Sequence, residues 1–333
     1  MKSLLFHTDA KTRKQNTKKI VGLVGKRLGG VYRMLMLICL SVVTLFPVLY
    51  MFSVAFRPSE QLSDPTVVWI PKSLTLYNFK RLLDVFDYPL AMLNTAKITL
   101  ISTFCTLVSC SLAGYGLARY KFKGKTLLFG LVVLMIIVPP QNILISSYVG
   151  FKYFDFFGIG QLVGLFTGEP LTYSLLGKEI SMYLPAALGA GIRSGLFILI
   201  FSRFFSNLPK ELEDAAAIDG CNPLKTYVRV VIPAAVPVFV IVSLLCVVWY
   251  WNDYYFTNTF MRSSMTLAGQ LPQLKAKIDV TIHNISSGAA IDDDLLTALT
   301  QAAYIIVIGP LVLLYVFMQR YFTESIERSG IVG

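Results

Sequence analysis

Six long apolar stretches limit what this chain can fold into. They run from Met34 to Val54, Met92 to Leu117, Thr126 to Ile145, Ala186 to Phe205, Val230 to Tyr250 and Leu299 to Tyr321. An α-helix needs about 20 apolar residues to cross roughly 30 Å of hydrocarbon, and each stretch meets or approaches that length. The pattern predicts an all-α membrane protein with about six transmembrane helices. Composition agrees, since hydrophobic residues make up 55% of the chain and soluble domains hold about 45–50%. A formal charge of +11 could suggest nucleic acid as a partner. The basic residues lie beside the apolar runs, however, where lipid headgroups and the positive-inside bias account for them.

Lysine and arginine in the short loops set the expected orientation. Residues 1–33 carry Lys11, Arg13, Lys14, Lys18, Lys19, Lys26, Arg27 and Arg33 against the single acid Asp9, and lack the short n-region and small-residue cleavage site of a secretory signal. Arg119, Lys121, Lys123 and Lys125 lie between the second and third runs with no acid, and Arg320 and Arg328 end the sixth run or follow it. Both termini are therefore expected in the cytoplasm. The near-balanced stretches 56–89 and 146–185 are expected outside.

Between the fourth and fifth runs lies a polar island from Leu208 to Pro233, LPKELEDAAAIDGCNPLKTYVRVVIP. Pro209 suits a first helical position, where its missing N–H is no loss. Glu211, Glu213 and Asp214 place negative charge at the positive end of the helix dipole. Gly220 can take the left-handed cap that ends a helix, and Asn222-Pro223 starts another. The island thus reads as two short helices joined at Gly220, too polar to span and too well capped to be a linker.

Asp214-Ala215-Ala216, then Gly220, then Val230 to Pro233, resembles the EAA loop of permease subunits of bacterial ABC importers. That loop reads E-A-A, three residues, G, nine residues, I-x-L-P. Here aspartate replaces glutamate, and Val230 and Ile232 replace isoleucine and leucine. The basic aromatic turn from Gly116 to Lys125 resembles sugar-type members, and Trp251-Asn252-Asp253 resembles their carbohydrate branch. The likeness covers roughly Leu90 to Phe322. It implies a type I ABC importer transmembrane domain in a bacterial plasma membrane. The expected organisation is a basic tail at 1–33, a first span at 34–55, an outside loop at 56–89, a permease core at 90–322 with a coupling loop at 206–233, and a tail at 323–333.

The resemblance also implies roles. Glu213, Asp214, Ala215, Ala216, Asp219, Gly220 and Pro233 are expected at the ATPase, with motion passing into the fifth span through Pro233. Trp249, Trp251, Asn252 and Asp253 are expected on the solute path, although an aromatic belt at the membrane interface explains the same residues. Implied partners are a second permease chain, two cytoplasmic ATPase subunits, an extracytoplasmic solute-binding protein and lipid, with no nucleic acid. Gly124-Lys125-Thr126 looks like the end of a P-loop, but Arg119 stands where its first glycine belongs. No cofactor, catalytic residue or metal site is expected in this chain, and ATP with Mg falls to the partner.

An amino-acid or peptide importer would share the loop. An ion-coupled carrier needs intramembrane acids, and the charged candidates within the spans are instead the basic Lys97 and Arg193. The five cysteines, Cys39, Cys105, Cys110, Cys221 and Cys246, have no metal-like spacing. The stretches 150–184 and 252–294, the latter ending in Asp292, Asp293 and Asp294, are expected to meet the solute-binding protein.

Overall fold

The computed structural model describes the backbone of residues 2–330 except 68, 86, 262–265, 275, 279 and 281–292, and the side chains of 29–319 within those limits less 84 and 85. Asp292 lies outside the described residues, as do the side chains of most of the basic tail. Among the described residues the fold is helical, with one isolated antiparallel bridge between Phe154 and Tyr173.

The first helix, α1 (Lys2–Ala55), contains the apolar segment Gly29–Ala55. After α2 (Tyr77–Val85), α3 (Tyr88–Arg119) runs unbroken for 32 residues and forms the centre of the bundle. Half of its apolar window is buried, against 0% for Gly29–Ala55, so α3 packs against protein and α1 lies at the periphery.

The third apolar run is not one span. It divides into α4 (Lys125–Ile137) and α5 (Pro140–Lys152), bent by 104°. Pro139-Pro140 explains the break, because a residue before proline is pushed out of the helical region. Val138 and Pro139 are indeed extended, and Pro140 opens α5. The fourth run is also divided. After α6 (Ile159–Thr167), α7 (Ile180–Ala187) stops before Gly189, whose φ is 72°, and α8 (Ser194–Asn207) begins beyond Gly191. The Tyr250 hydroxyl fills this gap: it accepts from the Ile192 amide at 3.3 Å, and a Cβ on Gly191 would lie 2.4 Å from it.

The polar island folds as α9 (Glu211–Ile218), α10 (Pro223–Thr226), a π-turn at Tyr227–Val231 and α11 (Ile232–Ala234). The chain then bends by 79° into α12 (Val236–Trp251). The expected fifth span therefore starts at Val236 rather than Val230. Short helices α13 (Tyr255–Phe260) and α14 (Leu267–Gln270) lead to α15 (Asp293–Gly330), whose span is Asp293–Gln319. Among the described residues, three helices are long and apolar enough to cross a membrane, or up to five if each bent pair is one span, and α8 is a shorter apolar helix. Each of the six apolar runs thus holds an apolar helix or a bent pair, with breaks in the third, fourth and fifth.

In lipid the hydrophobic effect does not hold apolar helices together, so close van der Waals approach must. Gly114 on α3 provides it: a Cβ there would sit 2.6 Å from Phe201 Cβ and 3.0 Å from the Ser202 amide nitrogen of α8. Cys110, one turn away, donates to the Ser194 carbonyl at 3.7 Å. Phe197, Phe201 and Phe205 of α8 are fully buried in the cluster that these contacts create. A second joint closes the opposite flank, where the Trp251 indole of α12 donates to the Val307 carbonyl of α15 at 3.0 Å.

Candidate functional site

Glu211, Glu213 and Asp214 occupy the first turn of α9. The helix starts two residues after Pro209, at Glu211. It ends in a Schellman arrangement, with the Cys221 amide on the Ala216 carbonyl at 2.9 Å and the Gly220 amide on the Ala217 carbonyl at 3.0 Å. Gly220 has φ 77°, the left-handed value this cap requires. Asn222 then caps α10 by accepting from the Lys225 amide at 2.8 Å. Local chemistry alone therefore builds a rigid two-helix knob.

The faces of α9 differ. Ala216 is 5% exposed and packs inward, as does the partly buried Glu213, one turn earlier. Asp214, Ala215, Ile218 and Asp219 face out, with Ile218 87% exposed and Leu224 of α10 67% exposed. Asp214 and Ile218 are four apart and so share a face. The outer surface is an apolar tip ringed by carboxylates. Sequence reasoning missed Ile218, although a large aliphatic at the last position of an otherwise acidic helix is a readable signal. Gly220 and Pro233 are exposed as well.

The inner face meets α3. Arg119 Nε lies 2.7 Å from Glu213 Oε1, with the two side chains 7% and 22% exposed. Arg119 Nη2 also donates to the Leu208 carbonyl at 2.8 Å, where α8 ends. Two turns back on α3, the Ser111 Oγ accepts from the Tyr227 hydroxyl at 2.7 Å. Tyr115 lies between them, its ring 5.0 Å from Tyr227 and 5.6 Å from Phe205. Ser111, Tyr115 and Arg119 are spaced by four and form one stripe of α3. Both limbs of the knob land on that stripe.

The other expected site residues are divided among several roles. Trp251 is buried against α15, as described above. Asp253 caps α13, accepting from the Thr257 amide and hydroxyl at 2.7 Å each. Burial pushes the Asp253 carboxyl above its ordinary value, opposed by the Thr257 and Phe256 hydrogen bonds. Replacing Asp253 by alanine is expected to cost about 1 kcal/mol of stability through the lost cap, read as an earlier thermal transition of the purified protein. Asn252→Ala is expected to leave that transition in place, because the Asn252 amide only returns to the Val248 carbonyl. Trp249 remains exposed, with the Arg193 guanidinium 4.5 Å from its ring centroid.

Arg193 has φ 58° and lines a mainly apolar cavity of about 350 Å³ between α4, α5, α7, α8, α12 and α13. Lys97 is held by an ion pair to Glu179, which also accepts from Tyr183 at 3.0 Å. At the end of the 252–294 stretch, Asp294 accepts from Ser63 at 2.5 Å, tying it to the 56–89 loop. Among the described residues no group of three His, Cys, Asp or Glu could hold a metal, and the cysteines are free.

A family model described as binding-protein-dependent transport system inner membrane component matches residues 110–328. The chain belongs to this family. It is a multi-pass protein of the bacterial plasma membrane and a permease subunit of an ABC importer, a type of subunit that lacks its own ATPase site. Similar curated proteins include the trehalose transport system permease protein SugB of Mycobacterium tuberculosis, 27% identical over 87% of this chain and 93% of the relative. The arabinooligosaccharides transport system permease protein AraQ of Halalkalibacterium halodurans is 25% identical, over 88% and 93%. The polygalacturonan/rhamnogalacturonan transport system permease protein YtcP of Bacillus subtilis is 23% identical, over 89% and 96%. The fold resembles a chain in the crystal structure of a bacterial ABC transporter that imports alginate, at TM-score 0.62 and 18% identity, covering 89% of this chain and 97% of the other.

Proposed function

We propose that this chain forms half of the translocation pathway for a sugar or oligosaccharide and receives mechanical work from a cytoplasmic ATPase through the 206–233 loop. The observation that carries the reading is the capped knob, whose outer face presents Ile218, Asp214 and Ala215 exposed among the described residues. A small apolar tip with flanking carboxylates suits a groove on another protein, where burial gives affinity and charge gives register. The transport of trehalose, arabinooligosaccharides and polygalacturonan named for its relatives supports a carbohydrate over an amino acid or peptide.

In this reading both termini and the knob lie in the cytoplasm. A sister permease chain completes the pathway, two ATPase subunits bind ATP and Mg, and an external binding protein delivers solute. Asp214, Ala215, Asp219 and Gly220 meet the ATPase together with Ile218, and Trp249 lies toward the solute. ATP-driven closure of the ATPase pair draws the two knobs together, and the transmembrane cavity opens outward.

The test is reconstitution of the complex in vesicles with its binding protein, following ATP-dependent uptake of oligosaccharides against amino acids and peptides. Uptake of carbohydrate alone supports the reading, and uptake of amino acids or peptides would replace it. In the same assay Gly220→Val is expected to lower solute moved per ATP several-fold. The left-handed conformation costs a β-branched residue at least about 1–2 kcal/mol. No heavy atom lies within 4 Å of the added Cβ, so the effect comes through the cap and not through packing. Gly220→Asn tolerates the conformation and is expected to retain coupling.

A further inference from the structure

We infer that Arg119 and Glu213 form the joint through which the knob moves the transmembrane bundle, with α3 as the first helix driven. This rests on the importer reading above and assigns Glu213 an inward task in place of the ATPase contact expected from sequence.

Three observations carry it. First, the route from the knob into α12 is indirect: it passes a π-turn at Tyr227–Val231 and a 79° bend before α12 begins. Second, the link to α3 is short and largely buried. A nearly buried guanidinium holds the α9 carboxylate at 2.7 Å and the Leu208 carbonyl at 2.8 Å, so one side chain grips both the entrance of the loop and its first helix. Third, α3 is the unbroken central helix, and Gly114 locks it against α8 one turn and a half before Arg119. Displacement of α9 therefore reaches α3 and α8 together, without passing through the bend before α12.

Burial makes the pair a strong link. Removing one member leaves the other charge uncompensated in a nearly dry setting, which costs far more than an exposed pair would. Arg119 and Glu213 are thus positioning residues: they touch neither solute nor nucleotide.

The experiment uses the whole complex in vesicles, measuring solute moved per ATP hydrolysed and the ATPase retained on purification. Arg119→Gln and Glu213→Gln are each expected to lower transport per ATP about tenfold or more while the ATPase stays bound. The double charge reversal Arg119→Glu with Glu213→Arg is expected to recover a substantial part of it. Arg119→Lys, which keeps charge but not the fork, is expected to fall between and carries the test if Arg119→Gln fails to accumulate. Full coupling in either glutamine variant overturns the joint. Loss of the ATPase in Glu213→Gln but not in Arg119→Gln also overturns it, because Glu213 would then be a docking residue. A wild-type complex without an ATPase would instead refute the importer reading, and so the two failures are distinguishable.

Discussion

Replacing Gly114 by leucine is expected to prevent the bundle from assembling. The added Cβ alone would lie 2.6 Å from Phe201 Cβ, 3.0 Å from the Ser202 nitrogen and 3.1 Å from the Ile198 carbonyl oxygen. Two of these atoms are backbone, so no rotamer change relieves the clash and α8 must move away from α3. Overpacking a dense core costs about 1–3 kcal/mol or more, and here the same shift breaks the Cys110 contact and unseats Phe197, Phe201 and Phe205. Close approach is what holds helices together in lipid, which leaves little to compensate. The variant should accumulate poorly in the membrane or melt far earlier in detergent. Gly309→Leu is the control, since a Cβ at Gly309 meets nothing within 4 Å. Equal behaviour of the two variants would contradict the packing account.

The second large effect is expected from Ile218→Asp. Ile218 is 87% exposed at the end of α9 among the described residues. Stability should therefore be unchanged. If the residue fills an apolar pocket on the ATPase, burial contributes about 1.5–3 kcal/mol, and an aspartate there also requires desolvating a charge. Affinity should fall about tenfold to a hundredfold or more at 1.4 kcal/mol per factor of ten. Titrating purified ATPase onto the purified wild-type and variant permease in detergent measures this. Unchanged affinity would remove the apolar tip from the docking surface.

Much of the knob was legible in the sequence because its determinants are local. Gly220 as a left-handed cap and Asn222-Pro223 as a restart act over a few residues, and both appear where they were expected. The helical class was legible for the same reason, as each apolar run contributes helix. The breaks were not, although their causes stand in the sequence: Pro139-Pro140, Gly189 with Gly191, and the Pro233 to Pro237 segment. A hydropathy average over about 20 residues passes across such positions, whereas a proline or glycine interrupts backbone hydrogen bonding at one point.

The inner side of the knob was hidden for a different reason. Nothing near Glu213 announces that its partner is Arg119, which sits in another element and was read only as part of a basic loop. The i, i+4 spacing of Ser111, Tyr115 and Arg119 gives them one face, but only the fold reveals that the face receives the knob. Asp253 and Trp251 illustrate the converse. Residue types that suit a sugar are occupied here by a helix cap and an interhelical hydrogen bond.

Docking of an ATPase on the knob can be read by purifying the chain from its native membrane and identifying the recovered partners by mass. An ATPase and a sister permease are expected with the wild-type chain, and loss of the ATPase alone when Ile218 and Asp214 are replaced together. Recovery without any ATPase, or undiminished recovery with the double variant, would contradict it.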